Sequence, residues 1–215
     1  MLTKKTEGLL LATVTSGSLA LALSFLPASK LIGMWLGLQG ARAVWAFPVL
    51  SALVWIVGKV TIRPVSHYQQ IPWGFLCTTS ILPLLVGLLY STLLPGRSLV
   101  GGDFPREEIL WTCIAIPLGE ELLFRGWIYD VMEKLSQSRW WSLSFPLPAS
   151  VVLTSIAFAF WHLQNWDTYP AGLVLFQVGY SFFAGLWLGT LRAKSGGIAL
   201  GILAHAGLNL AALVF

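Results

Sequence analysis

The sequence predicts an all-α fold: a polytopic transmembrane helical bundle of seven spans, or eight if residues 31–38 add a re-entrant element. Two observations lead there. Of 215 residues, 56% are hydrophobic and only 10% charged, against about 25% charged in an ordinary soluble domain. Apolar blocks of about 18 to 22 residues recur along the whole length, each long enough to cross a hydrocarbon layer of about 30 Å. They run over residues 9–26, 43–60, 73–94, 109–129, 147–166, 173–191 and 197–215. Pro48 makes the second the weakest. Without repeats or low-complexity stretches, residues 1–215 read as a single integral membrane domain.

The first block follows Lys4 and Lys5, as a secretory signal would. The stretch Pro27-Ala28-Ser29-Lys30 is a poor cleavage site, so an uncleaved first span is expected. The net charge of +4 comes from basic residues lying mostly between apolar blocks, which reads as a topology signal and not as a nucleic-acid footprint. A cytoplasmic N-terminus puts Lys4, Lys5, Lys59, Arg63, Lys134, Arg139, Arg192 and Lys194 inside, with Lys30, Arg42, Arg97 and Arg106 outside. The expected location is therefore the cell membrane, multi-pass. The segment from Tyr129 to Trp141 mixes Met132 and Leu135 with Glu133, Lys134 and Arg139, and is expected to lie along the cytoplasmic surface. Cys77 and Cys113 have no metal-knuckle spacing and read as packed thiols.

Removing the loop charges leaves Glu120, Glu121, Arg125, His162, His205 and Asn209 at membrane depth. A charged group at a helix centre costs about 2.5 to 3.5 kcal/mol on insertion scales, so such groups need partners, water or a function. Glu121 and Arg125 are four residues apart on one helix face and predict an internal ion pair. Glu120 is turned about 100° away with no local cation. A buried carboxylate of that kind suits general base work. Pro117, three residues upstream, disfavours a straight helix and opens room beside it. In the last block, His205 and Asn209 share a face at the same four-residue spacing, and His162 is the titratable group of the fifth block before Asp167. Singly, each has a structural explanation: a packed histidine donating to a carbonyl, an asparagine bridging helices, an ion pair holding a fold. Together, one base, two imidazoles and one amide on three spans predict a polar cavity between spans four, five and seven.

Glu120-Glu121-x-x-x-Arg125, then Phe158-x-x-x-His162, then His205-x-x-x-Asn209, in that order on apolar blocks, resembles the motif set of the CAAX prenyl protease and bacteriocin-processing (Abi) family of intramembrane glutamic proteases. The resemblance covers residues 106–215 as a catalytic core, leaving residues 1–105 as spans of unassigned role. It implies that Glu120 and His162 activate a water for attack on a peptide carbonyl, that His205 and Asn209 donate to the oxyanion, and that Glu121, Arg125 and Phe158 support the site. The implied partners are a peptide or membrane-protein substrate and the bilayer. No cofactor and no metal are expected, although Glu120, His162 and His205 could alternatively form an open zinc site. A different class of function, a proton-coupled transporter or a non-cutting membrane scaffold, could use the same cluster. A transporter would call for paired broken helices or a repeat, and the sequence has only Pro117.

Overall fold

The computed structural model describes residues 109–136, 139–140, 147–167 and 169–214, with residues 48–53 and the single positions Ile56, Gly74, Ile81 and Leu85. The remainder of the first three blocks, the 31–38 element, the uncleaved first segment and the N-terminal orientation lie outside the described residues. The described part is helical apart from one short antiparallel pairing, β1 (Arg139–Trp140) with β2 (Leu147–Pro148), in which Arg139 faces Pro148 and Trp140 faces Leu147.

The first long helical segment, α1 (residues 111–136), is not a regular α-helix. It alternates π turns at Trp111–Ala115 and Glu121–Ile128 with α turns at Ile116–Glu120 and Tyr129–Ser136. The Ile116 N–H reaches the Trp111 carbonyl and the Tyr129 N–H reaches that of Phe124, each five residues back. Pro117 falls at the first positions of the α turn, directly after the first π turn. The widened helix thus carries its proline without stopping, and Glu121 begins the second π stretch. The surface helix expected over residues 129–141 is instead partly a continuation of α1. Met132 on it is fully buried.

Helix α2 (Ala149–Trp161) packs on α1 through a four-residue stripe, Ala149, Leu153, Ala157 and Trp161, against Phe124, Ile128 and Met132. The fifth block is therefore shorter as a regular helix than the sequence implies: it tightens at His162 into a 3-10 turn, His162–Asn165. Helix α3 (Ala171–Ser195) has 25 residues, about 37 Å at 1.5 Å per residue. Among the described residues it is the one helix long and apolar enough to cross a membrane. It ends on Gly196, whose φ of 69° supplies the left-handed turn, with its N–H on the Arg192 carbonyl. Helix α4 (Ala199–Val214) closes the described part.

Small residues set the α2–α3 contact. A Cβ on Gly185 would stand 3.1 Å from the Ser155 Cα, and one on Gly189 would stand 3.0 Å from the Val151 Cγ1. This pair, four apart, lets two backbones approach in the way membrane helices favour. The polarity of the assembly is inverted relative to a soluble protein. Ile114, Leu175, Phe183 and Leu203 are exposed, whereas Glu120, Glu121, Arg125, Arg192 and His205 are buried. Arg192 corrects the charge count above: it is no loop residue. It donates from Nη2 to Asp130 Oδ1 at 2.6 Å and from Nε to the Arg125 carbonyl at 3.0 Å, tying the end of α3 to α1.

Candidate active site

The second π stretch of α1 brings Glu121 and Arg125 together as the spacing predicts, Nη1 to Oε1 at 3.0 Å, both fully buried. Arg125 is held twice more: Nη2 donates to the Gly185 carbonyl at 3.3 Å, and the guanidinium lies 4.2 Å above the Phe158 ring. Removing side chain from α4 at Gly201 is what lets that helix reach this pair, since a Cβ there would sit 2.7 Å from Glu121 Oε2.

His205 on α4 touches both glutamates. Its Nδ1 is 3.1 Å from Glu121 Oε1 and its Nε2 is 3.6 Å from Glu120 Oε2. A carboxylate paired with arginine accepts, so the Nδ1 hydrogen goes to Glu121. The rotation separating the two glutamates along the chain therefore does not send them to unrelated places, because one imidazole spans the gap. Glu120 has its own donor on the other oxygen, the Trp161 indole N–H at 2.9 Å from Oε1. The sequence reading missed that tryptophan, and only its place next to His162 hinted at it.

His162 sits at the turn where α2 tightens. Its Nδ1 is 2.9 Å from the Phe158 carbonyl. A carbonyl only accepts, so Nδ1 carries the hydrogen and Nε2 keeps a lone pair in the neutral ring. Phe158 lies edge-to-face under both imidazoles, 5.0 Å from His162 and 5.7 Å from His205 between ring centres. Asn209 donates from Nδ2 to the Thr112 carbonyl at 2.8 Å, which uses one of its two amide hydrogens and joins α4 to the first π turn of α1.

Phe158, His162, His205 and Asn209 all line one cavity of about 110 Å³, whose far wall is Gln177, Tyr180 and Ser181 of α3. That volume admits several waters or one medium side chain. The walls thus come from the fifth, sixth and seventh blocks. The expected placement between four, five and seven overlooked α3, which carries no charge at this depth. Glu120 stands off the wall, behind His205. Asn165 donates to Gln177 Oε1 at 2.9 Å, fixing the 3-10 turn to α3 at the rim. Among the described residues no group of three His, Cys, Asp or Glu side chains is placed to hold a metal ion.

Two imidazoles and an amide line the cavity, a buried carboxylate stands behind one of the imidazoles, and large apolar side chains face outward: this is a helical protein with a polar interior site. Residues 105–211 match the model of the Rce1-like family, described as type II CAAX prenyl endopeptidase. This segment contains every candidate site residue, and the family it matches is one of CAAX prenyl endopeptidase-like proteases. Members of the family are membrane proteins. No curated protein and no solved structure matches the chain.

Proposed function

We propose that the chain is an intramembrane endopeptidase that hydrolyses peptide bonds by a water activated between Glu120 and His162, without a metal. The observation that carries this reading is the position of His205, which touches Glu120 at 3.6 Å and lines the same cavity as His162 and Asn209. At that separation a water lying beside the pair can reach both atoms at once.

In this scheme the attacking water is held by Glu120 Oε2 and the His162 Nε2 lone pair; Glu120 takes one of its protons as the water oxygen adds to the carbonyl carbon, and gives that proton to the leaving amine as the C–N bond breaks. The carbonyl oxygen of the scissile bond gains charge as the water adds. Asn209 meets it with its second amide hydrogen, and His205 meets it from Nε2 when both ring nitrogens are protonated. Glu121 and Arg125 hold His205 in register. Substrate is a peptide or a membrane protein, and the family points to C-terminal CAAX-type segments. Neither nucleic acid nor a cofactor has a place in the scheme.

The test is purified protein in detergent or proteoliposomes, incubated with a peptide library that includes prenylated CAAX peptides. Cleavage by wild type and its loss in Glu120→Gln and His205→Ala is the expected result. Equal cleavage by Glu120→Gln and wild type would remove the proposed base. Solute transport into proteoliposomes without any proteolysis would replace the enzyme by a transporter.

A further inference from the structure

Trp161 occupies one of the open positions between Phe158 and His162, and neither the motif pattern nor the charge reading gives it a role. The side chain is 1% exposed. Its ring meets the Phe124 ring edge-on at 5.7 Å, in the α1–α2 core. Its one polar atom, the indole N–H, lies 2.9 Å from Glu120 Oε1 across 41 residues of chain. Arg125 is engaged by Glu121, so the cation nearest in sequence does not orient Glu120.

A carboxylate anchored through one oxygen has one rotation about its last bond, and its second oxygen is then aimed. Here Oε1 is taken by the indole, and Oε2 is the atom that faces His205 Nε2. Tryptophan suits this place because its N–H only donates and does not titrate. It aims the carboxylate without competing for the proton that carboxylate must accept. The same helix end separates two functions in consecutive residues: Trp161 closes α2 against Glu120, and His162 opens the 3-10 turn onto the cavity.

We infer that Trp161 is a positioning residue for the reaction, holding Glu120 so that Oε2 is presented to the water and to His205. The inference rests on the endopeptidase reading and extends it to a residue outside the three motifs.

The decisive variant replaces Trp161 by 3-benzothienylalanine, which keeps the fused ring and puts sulfur where the N–H was. Trp161→Phe is the simpler companion. The substrate is the peptide that wild type cleaves fastest in the library. Removing a hydrogen bond to a charged group should lower kcat about tenfold to hundredfold with KM unchanged for the benzothienyl variant, whose melt should show it still folded at the assay temperature. The same replacement made in Glu120→Gln should cost little more than Glu120→Gln alone, because the two act through one group. Wild-type kcat in the benzothienyl variant overturns the inference, as does a loss of kcat as large in the Glu120→Gln background as in wild type. If instead Glu120→Gln cleaves like wild type, or wild type cleaves nothing, it is the endopeptidase reading that fails, and the positioning role with it.

Discussion

His205 donates from Nδ1 to Glu121 Oε1 at 3.1 Å, across 84 residues, and so joins the last helix to a carboxylate that Arg125 already holds at 3.0 Å. One oxygen with two donors makes Glu121 the hinge between the ion pair and the imidazole that faces Glu120. Glu121→Gln keeps the shape, weakens both bonds and leaves the Arg125 guanidinium buried without its counter-charge, which should cost about 3 to 5 kcal/mol of stability. It should lower kcat about tenfold to hundredfold through misplacement of His205. Arg125→Ala leaves a buried carboxylate uncompensated and should cost about 3 to 5 kcal/mol of stability. Steady-state kinetics and thermal melts of the two purified variants separate these effects.

Glu120, His162 and Asn209 should differ in how they fail. Glu120→Gln and His162→Ala remove the base and its assistant, and kcat should fall about 10²- to 10⁴-fold with little change in KM. Asn209→Ala removes an oxyanion donor, for which about 10²- to 10³-fold in kcat is expected. It also loses the bond to the Thr112 carbonyl, about 1 kcal/mol. A rise in KM with kcat intact in any of the three would place that residue in binding and not in chemistry.

Gly201 tests the packing. Glu121 Oε2 lies 2.7 Å from where a Cβ would be, and its carboxylate is pinned at Oε1 by two donors, so it cannot simply swing aside. Gly201→Ala should destabilise by about 1 to 3 kcal/mol and reduce activity by pushing α4 away. Gly207, on the same helix with nothing within 4 Å of its added Cβ, is the control. Gly207→Ala should be neutral or slightly stabilising, since alanine favours a helix. Equal Tm values for the two variants would contradict the close approach.

Arg192 should behave as an internal strut. It is bonded to Asp130 and to the Arg125 carbonyl, with its guanidinium 5.1 Å from the centre of the Tyr129 ring. Arg192→Ala should lower stability by about 3 to 5 kcal/mol, whereas Lys134→Ala, at an exposed position, should leave the melt unchanged. A melt of Arg192→Ala that matches wild type would return that residue to the loop role its sequence position suggested.

Proteolysis should survive strong chelators, because the scheme draws its nucleophile from Glu120 and His162 alone. Loss of cleavage on chelation, with recovery on added zinc, would make Glu120, His162 and His205 a metal site and demote the oxyanion role of His205.

The sequence by itself determined the helical class and singled out the polar residues that meet at the candidate site. Apolar blocks long enough to span lipid make each charge at that depth costly, so Glu120, Glu121, Arg125, His162 and His205 stood out by their burial in the sequence itself. The four-residue period then paired Glu121 with Arg125, a contact within one helix that spacing can decide. Contacts between helices were another matter. That His205 spans both glutamates, that Trp161 binds Glu120 and that Arg192 turns inward depend on three-dimensional approach between α1, α2, α3 and α4. So does the third wall of the cavity, supplied by the uncharged Gln177, Tyr180 and Ser181. Periodicity specifies which residues share a face, whereas the partner of a face is chosen by how closely two backbones can come, and here Gly185, Gly189 and Gly201 set that distance.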